Sequence, residues 1–218
     1  MAAKKKTTKK KATSKKSKAN KGSVFEREQC KLWSLWWTHG ERNDVFWRSI
    51  TSGAMATIRS KKGQTAFGQY GDIQATDPIG QPLIDVCTIE LKCGYPRASL
   101  ADILDKKANA AQQQYEAFIE QAMGDAKKSG SFSWMLLFRR MQKDPFIIMP
   151  IKLYKKLKDK GAFEEQPPVS IRMKINLRRK LKKKKYTSVS VYGLRLEDFF
   201  NCVKPIHFKR IAKGKNAK

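Results

Sequence analysis

Acidic side chains are scarce: 19 Asp and Glu stand against 47 Lys and Arg, a formal net charge of +28 over 218 residues. A compact fold with that excess repels itself unless a polyanion is near. The balance argues for nucleic acid and against a neutral small-molecule enzyme, although a ribosomal protein would share it. Histidine is nearly absent. His39 and His207 are the only two, far apart and without a metal-ligand partner nearby in sequence, which argues against a histidine-based metal nuclease. Cysteine is also rare. Cys30, Cys87, Cys93 and Cys202 form no C-x-x-C pair and no zinc spacing, so they read as free thiols in a reducing compartment. No apolar run approaches the ~20 residues of a membrane span. The longest, Trp134 to Phe138 and Phe146 to Ile151, suit buried strands. The N-terminus lacks the apolar core of a secretory signal. The expected setting is therefore cytoplasmic, away from membranes.

Hydrophobic residues are plentiful, at 40%, so a core can form. Residues 1–22 are the exception. They hold ten lysines and no acid, too little apolar surface to order themselves. Removing those ten charges from +28 still leaves +18 on residues 23–218. The organisation expected is a Lys-rich tail at 1–22, a folded core at 23–160, a basic β-hairpin and helix packed on it at 161–209, and a frayed basic tail at 210–218. The tail suits holding a phosphate backbone without reading sequence, or serving solubility or localisation.

Ser23 with Glu26 three residues on is a capping-box pattern, predicting a helix to about Thr38 with Gly40 as its left-handed terminator. Cys30, Trp33 and Trp37 share one stripe, and Glu26 extends it by a turn. Strands are predicted at Val45–Ile50, Gly71–Thr76 and Leu83–Lys92, the last two joined as a hairpin by the turn chemistry of Asp77-Pro78-Ile79-Gly80. Ser99 with Asp102 predicts a longer helix. Two strands then follow at Phe132–Arg139 and Phe146–Met149, and a basic helix from Ile151 to Lys160. Val169–Asn176 and Tyr186–Tyr192 alternate as strands flanking the basic block Arg178–Lys185, and Leu196–Val203 closes as a helix. The mixture makes an α/β fold.

Alternation puts Glu90 and Lys92 on one strand face. A hairpin would bring Asp72 to the same corner. Two carboxylates and an ammonium in a cationic setting suit phosphodiester hydrolysis. Asp72, Glu90 and the Leu91 carbonyl offer a hard cation three oxygens, and Lys92 can orient water or neutralise charge on phosphorus. Glu26 can join from the helix. Each also has an ordinary structural reading: an exposed ion pair for Glu90 and Lys92, a capping acid for Glu26, and a turn residue for Asp72.

The runs Lys21-Gly22-Ser23-Val24-Phe25-Glu26-Arg27-Glu28, Trp47-Arg48-Ser49, Gly71-Asp72-Ile73 and Ile89-Glu90-Leu91-Lys92 resemble the PD-(D/E)xK nuclease superfamily. Their order is most similar to archaeal-type Holliday-junction resolvases. The resemblance spans about residues 21–150. It implies a restriction-endonuclease-like mixed sheet flanked by helices, with residues 23–160 as the nuclease core. It also implies Glu26, Asp72, Glu90 and Lys92 as the catalytic and metal-binding set, with Ser49 or Ser52 near the scissile phosphate. Gly71 stands where the family's motif has proline.

Arg48, Arg139, Arg140 and, in the basic block, Lys180, Lys182 and Lys183 are candidate nucleic-acid contacts, beside Ser49 and Ser52. Trp33, Trp36, Trp37 and Trp47 read as core aromatics before base-stacking ones. The function expected is Mg²⁺-dependent DNA cleavage, with Mn²⁺ as a substitute ion and no small-molecule cofactor. Branched DNA such as a four-way junction is the candidate substrate, and a homodimer supplies paired sites. A duplex- or end-acting nuclease of repair or restriction, and a non-catalytic basic binder, remain the alternatives. A small lysine-laden nuclease suits a phage genome, which would place it in the bacterial host cytoplasm; a eukaryotic source would place it in the nucleus.

Overall fold

A computed structural model describes residues 19–49, 70–107, 110–178 and 186–215. Helix α1 spans Ala19–Trp37. It begins before Ser23, which therefore lies inside the helix and not at its N-cap. Its end is a Schellman closure: Gly40 N–H donates to Leu35 O at 2.7 Å, and His39 N–H to Trp36 O at 3.4 Å. The left-handed turn starts one residue earlier than expected, at His39 (φ 55°), with Gly40 following at φ 95°. Cys30, Trp33 and Trp37 are all buried, as the stripe predicts.

Strands β1 (Phe46–Arg48) and β2 (Ile73–Ala75) pair antiparallel as a small separate sheet. This departs from the expected hairpin of 71–76 with 83–92. Asp77 caps a 3₁₀ turn at Pro78–Gly80 by accepting the Ile79 N–H at 2.9 Å. Residues Gln81–Val86 then form helix α2. Pro82 sits in its first turn, where a missing N–H is harmless. Leu83 and Val86 are both fully buried. Residues three apart share a face on a helix and not on a strand. Strand β3 begins only at Cys87 and runs to Cys93.

The helix expected from Ser99 is two helices. In the first, α3 (Ala101–Leu104), the N-cap is Leu100 and not Ser99; Ser99 N–H still donates to Asp102 Oδ2 at 2.8 Å, while Ser99 Oγ accepts the Ala101 N–H at 3.2 Å. It ends after one turn, with Leu104 76% exposed. The second, α4 (Gln114–Ser129), has its own capping box from Gln113 and Glu116. Its stripe of Tyr115, Phe118, Ile119 and Ala122 is buried.

After α4 come β4 (Ser133–Arg139), β5 (Phe146–Pro150), α5 (Ile151–Lys158), β6 (Ser170–Arg178), β7 (Tyr186–Arg195), α6 (Leu196–Cys202) and α7 (Pro205–Lys215). The main sheet has the order β3-β4-β5-β7-β6. β3 and β4 are parallel and the other pairs antiparallel. The C-terminal hairpin of β6 and β7 joins the sheet through the pairing of β7 with β5. Helix α7 carries the chain on to Lys215, with Phe208, Ile211 and Ala212 buried, and residues 216–218 of the expected tail lie outside the described residues. Helices cover both faces, giving the mixed α/β architecture of a restriction-endonuclease-like fold. Alternation along β4 divides the core. Met135 and Leu137 join the layer with α1, while Trp134, Leu136 and Phe138 join the layer with α4.

Candidate active site

Alternation along β3 sends Ile89 and Leu91 into the α1 core. Glu90 and Lys92 therefore face α4. Glu90 is buried, at 3% exposure, and its Oε1 accepts Lys92 Nζ at 2.5 Å. The pair exists as expected, but it is not the exposed surface pair of the ordinary reading.

Asp72 reaches this strand without a hairpin. Its backbone N–H donates to Ile89 O at 2.8 Å, and its Oδ2 accepts the Leu91 N–H at 2.7 Å. Gly71 makes that approach possible. It has φ 81°, and a Cβ there would lie 2.8 Å from Thr88 Cγ2 and 2.9 Å from the Ile89 carbonyl oxygen. A proline, locked at negative φ, cannot take this conformation. The glycine that departs from the motif is thus the residue the local geometry requires.

Among the described residues β3 is the outer strand of its sheet. The N–H and C=O of one strand residue point to the same side. Since the Leu91 N–H meets Asp72, the Leu91 carbonyl also faces the Asp72 side and not β4. Two carboxylates and a carbonyl thus border one corner. The oxygen-only donor set suits a hard divalent cation. The electrostatics agree. Burial, then the Leu91 hydrogen bond and Lys92 in the opposite sense, set Asp72, whose carboxyl is pushed up to about 6. Burial and the Asp72 charge push Glu90 up to about 7, against the pull of Lys92. Negative charge at this corner is under-compensated by protein, the condition that a bound cation relieves. Among the described residues no cluster of three or more His, Cys, Asp or Glu forms a metal cage. The site offers two carboxylates and a main-chain oxygen.

Glu26 lies on α1 with its Oε2 3.0 Å from Arg48 Nε of β1. The contact is an ion pair without hydrogen-bond geometry, and the buried Nε has no hydrogen-bond partner. Glu26 also adds to the upward pull on Asp72. Cys30, one turn along α1, reports the same convergence. Burial first, then the Glu26 and Asp72 charges, push its thiol up to about 12. Glu26, Asp72, Glu90 and Lys92 therefore occupy one neighbourhood.

The candidate phosphate contacts are less uniform. Ser49 is buried, and its N–H donates to Asp72 O at 3.1 Å, so it braces the aspartate's loop. Arg139 stacks over Phe25 at 4.4 Å and pairs with Glu28 at 3.0 Å. Arg140 is exposed. Ser52, Lys180, Lys182 and Lys183 lie outside the described residues. Trp33 and Trp37 are core residues, whereas Trp47 is 40% exposed.

Two contributors from α4 had no individual signal in the sequence. Gln121 Nε2 donates to Glu90 Oε1 at 2.5 Å. Asp125, one turn on, adds negative potential at both Asp72 and Glu90. Their one trace is position, since both border the apolar stripe of an amphipathic helix. A cavity of about 670 Å³ lies elsewhere, between the 161–168 segment and helices α6 and α7, and is lined by Glu164, Glu165 and Asp198.

A family model described as phage putative PDDEXK endonuclease matches residues 17–209. The chain belongs to this PD-(D/E)xK endonuclease family. The match runs through the C-terminal strands as well as the motif-bearing core, in keeping with the single continuous sheet. No curated protein and no solved structure matches the chain. No helix among the described residues is long and apolar enough to cross a membrane.

Proposed function

We propose that this PD-(D/E)xK protein is a Mg²⁺-dependent DNA endonuclease, with branched DNA of the Holliday-junction type as its preferred substrate. The observation that carries the reading is the Leu91 N–H bond to Asp72, which ties the aspartate to the strand bearing Glu90 and Lys92. Asp72, Glu90 and the Leu91 carbonyl would hold the ion, and Mn²⁺ would substitute for it. A bound Mg²⁺ supplies Lewis-acid polarisation and charge neutralisation at the phosphoryl group.

The protein's own groups do the rest. Lys92, anchored on Glu90 and only 14% exposed, presents an ammonium fixed beside the carboxylates. That ammonium can orient the attacking water or stabilise charge developing on phosphorus. Glu26 holds Arg48 at the rim, where the guanidinium can take a phosphate oxygen. Arg139 and Arg140, at the end of β4, extend the cationic surface along the backbone. The order of Glu26, Asp72, Glu90 and Lys92 along the chain supports the resemblance to archaeal-type resolvases. Cutting both strands of a branch needs two sites in fixed register, so the reading includes a homodimer.

The test incubates purified protein with a labelled four-way junction and with linear duplex, in Mg²⁺ and in chelator. The expected result is metal-dependent junction nicking that Asp72→Asn and Glu90→Gln abolish. Equal cutting of plain duplex would withdraw the junction preference and leave a general nuclease. Tight binding without cleavage in any divalent ion would leave a non-catalytic binder.

A further inference from the structure

Helix α4 lays two side chains against the Glu90–Lys92 pair and carries a third charge nearby. Phe118 lies beneath Lys92, whose Nζ is 5.4 Å from the ring centroid. Gln121, almost one turn on, donates to Glu90 Oε1 at 2.5 Å. Lys92 Nζ donates to that same oxygen, also at 2.5 Å. Asp125, on the next turn, faces the site electrostatically. Both side-chain donors thus converge on Oε1, which leaves Oε2 as the oxygen available to an ion.

We propose that Gln121 is a positioning residue of the active site, fixing the Glu90 carboxylate so that Oε2 is presented to the divalent ion. This rests on the metal-dependent reading above. A carboxylate rotates easily about its last torsion, and a lysine on a four-carbon stem follows it. Lys92 shares the strand of Glu90 and cannot by itself fix that rotation. Gln121 comes from a different element, so the carboxylate is held from two directions at once. The choice of an amide is chemically apt. It donates without cancelling the charge that attracts the cation, as a lysine would. It also adds no competing carboxylate, as a glutamate would. Outer partners that orient a ligand in this way typically govern affinity and rate by about 10–100-fold.

The experiment uses the full chain, with Gln121→Leu and Gln121→Ala beside wild type. Mn²⁺ binding is measured by calorimetry without DNA. DNA affinity is measured in chelator, cleavage is resolved into kcat and KM, and melting is followed throughout. The proposal expects Gln121→Leu to weaken Mn²⁺ binding and lower kcat, each by about 10–100-fold. KM, DNA affinity in chelator and Tm should stay near wild type. Unchanged Mn²⁺ affinity in both variants would overturn it. So would a fall in kcat that only tracks a fall in Tm, because Gln121 would then be scaffold. If wild type itself binds no divalent ion and cuts nothing, the functional reading falls and takes this role with it. If wild type binds and cuts while the variants match it, only the role of Gln121 falls.

Discussion

The Asp72 carboxylate accepts the Leu91 backbone N–H at 2.7 Å, clipping a loop that leads into the β1–β2 sheet onto the outer strand of the other sheet. The site is therefore assembled across two sheets, and its geometry depends on how closely the Gly71–Asp72 turn approaches β3. Four expectations follow from this arrangement and its surroundings.

Gly71→Ala places a methyl group 2.9 Å from the Ile89 carbonyl oxygen at a positive φ. Neither the backbone oxygen nor the dihedral can yield cheaply. The expected cost is about 2–3 kcal/mol, or roughly 5–10 °C in Tm for a chain of this size. Nicking should fall further than DNA affinity, since Asp72 is displaced while the cationic surface is not. An unaltered melting curve would refute the tight approach.

Asp72→Asn should abolish nicking yet stabilise the ion-free protein. Asparagine keeps an acceptor for the Leu91 N–H but removes a charge that burial penalises first and that Glu26 and Asp125 also oppose. Asp72 is partly exposed, so screening reduces the gain to about 1–2 kcal/mol. Thermal denaturation in chelator reads it directly, and a lower Tm than wild type would contradict the electrostatic account.

The pH dependence has a defined sign. Asp72 and Glu90 hold protons more tightly in the folded state, with values of about 6 and about 7 against ordinary ones of 3.8 and 4.5. In the ion-free protein, their contribution to stability is greatest below the ordinary values and is lost as pH rises through the folded ones. A divalent ion competes with those protons, so its affinity should climb with pH and level off above about 7. Melting in Mg²⁺ and in chelator should coincide in acid and diverge towards alkaline pH. Divergence that shrinks with rising pH would be incompatible with carboxylate ligands.

Thiol reactivity should divide the four cysteines. Cys30 and Cys87 are fully buried, and burial pushes both thiols well up. Cys93 and Cys202 are half-buried. Alkylation of native protein near neutral pH should modify Cys93 and Cys202 first, and Cys30 and Cys87 only on unfolding. Peptide mapping by mass spectrometry separates the four. Early labelling of Cys30 would mean that α1 does not seal the floor of the site.

What the sequence made legible was local periodicity. The stripe of α1, the apolar runs of β4 and β5, and the alternation of β6 and β7 each identify an element and its buried face without tertiary information. The run from Leu83 reads as the start of a strand in the sequence and is helical to Val86, because short apolar segments suit a strand or a buried helix equally. Pro82 and the three-residue spacing of Leu83 and Val86 decide for helix once packing is known. Asp72 and Glu90 share one strand edge, as expected, but through a different connection. The sequence cue was their spacing, whereas the cause is the loop at Gly71. Gln121 and Asp125 carried no signal of their own, because their role depends on how α4 is rotated against β3. That rotation is set by Tyr115, Phe118 and Ile119, not by any motif.

An outer strand is normally a hazard. Its unpaired backbone groups are a template on which a second chain can add and start aggregation. Here the Ile89 carbonyl and the Leu91 N–H, both on the open side of β3, are already taken by Asp72. The turn that builds the candidate corner thus also guards the strand against self-association. Any change that loosens it risks solubility along with chemistry.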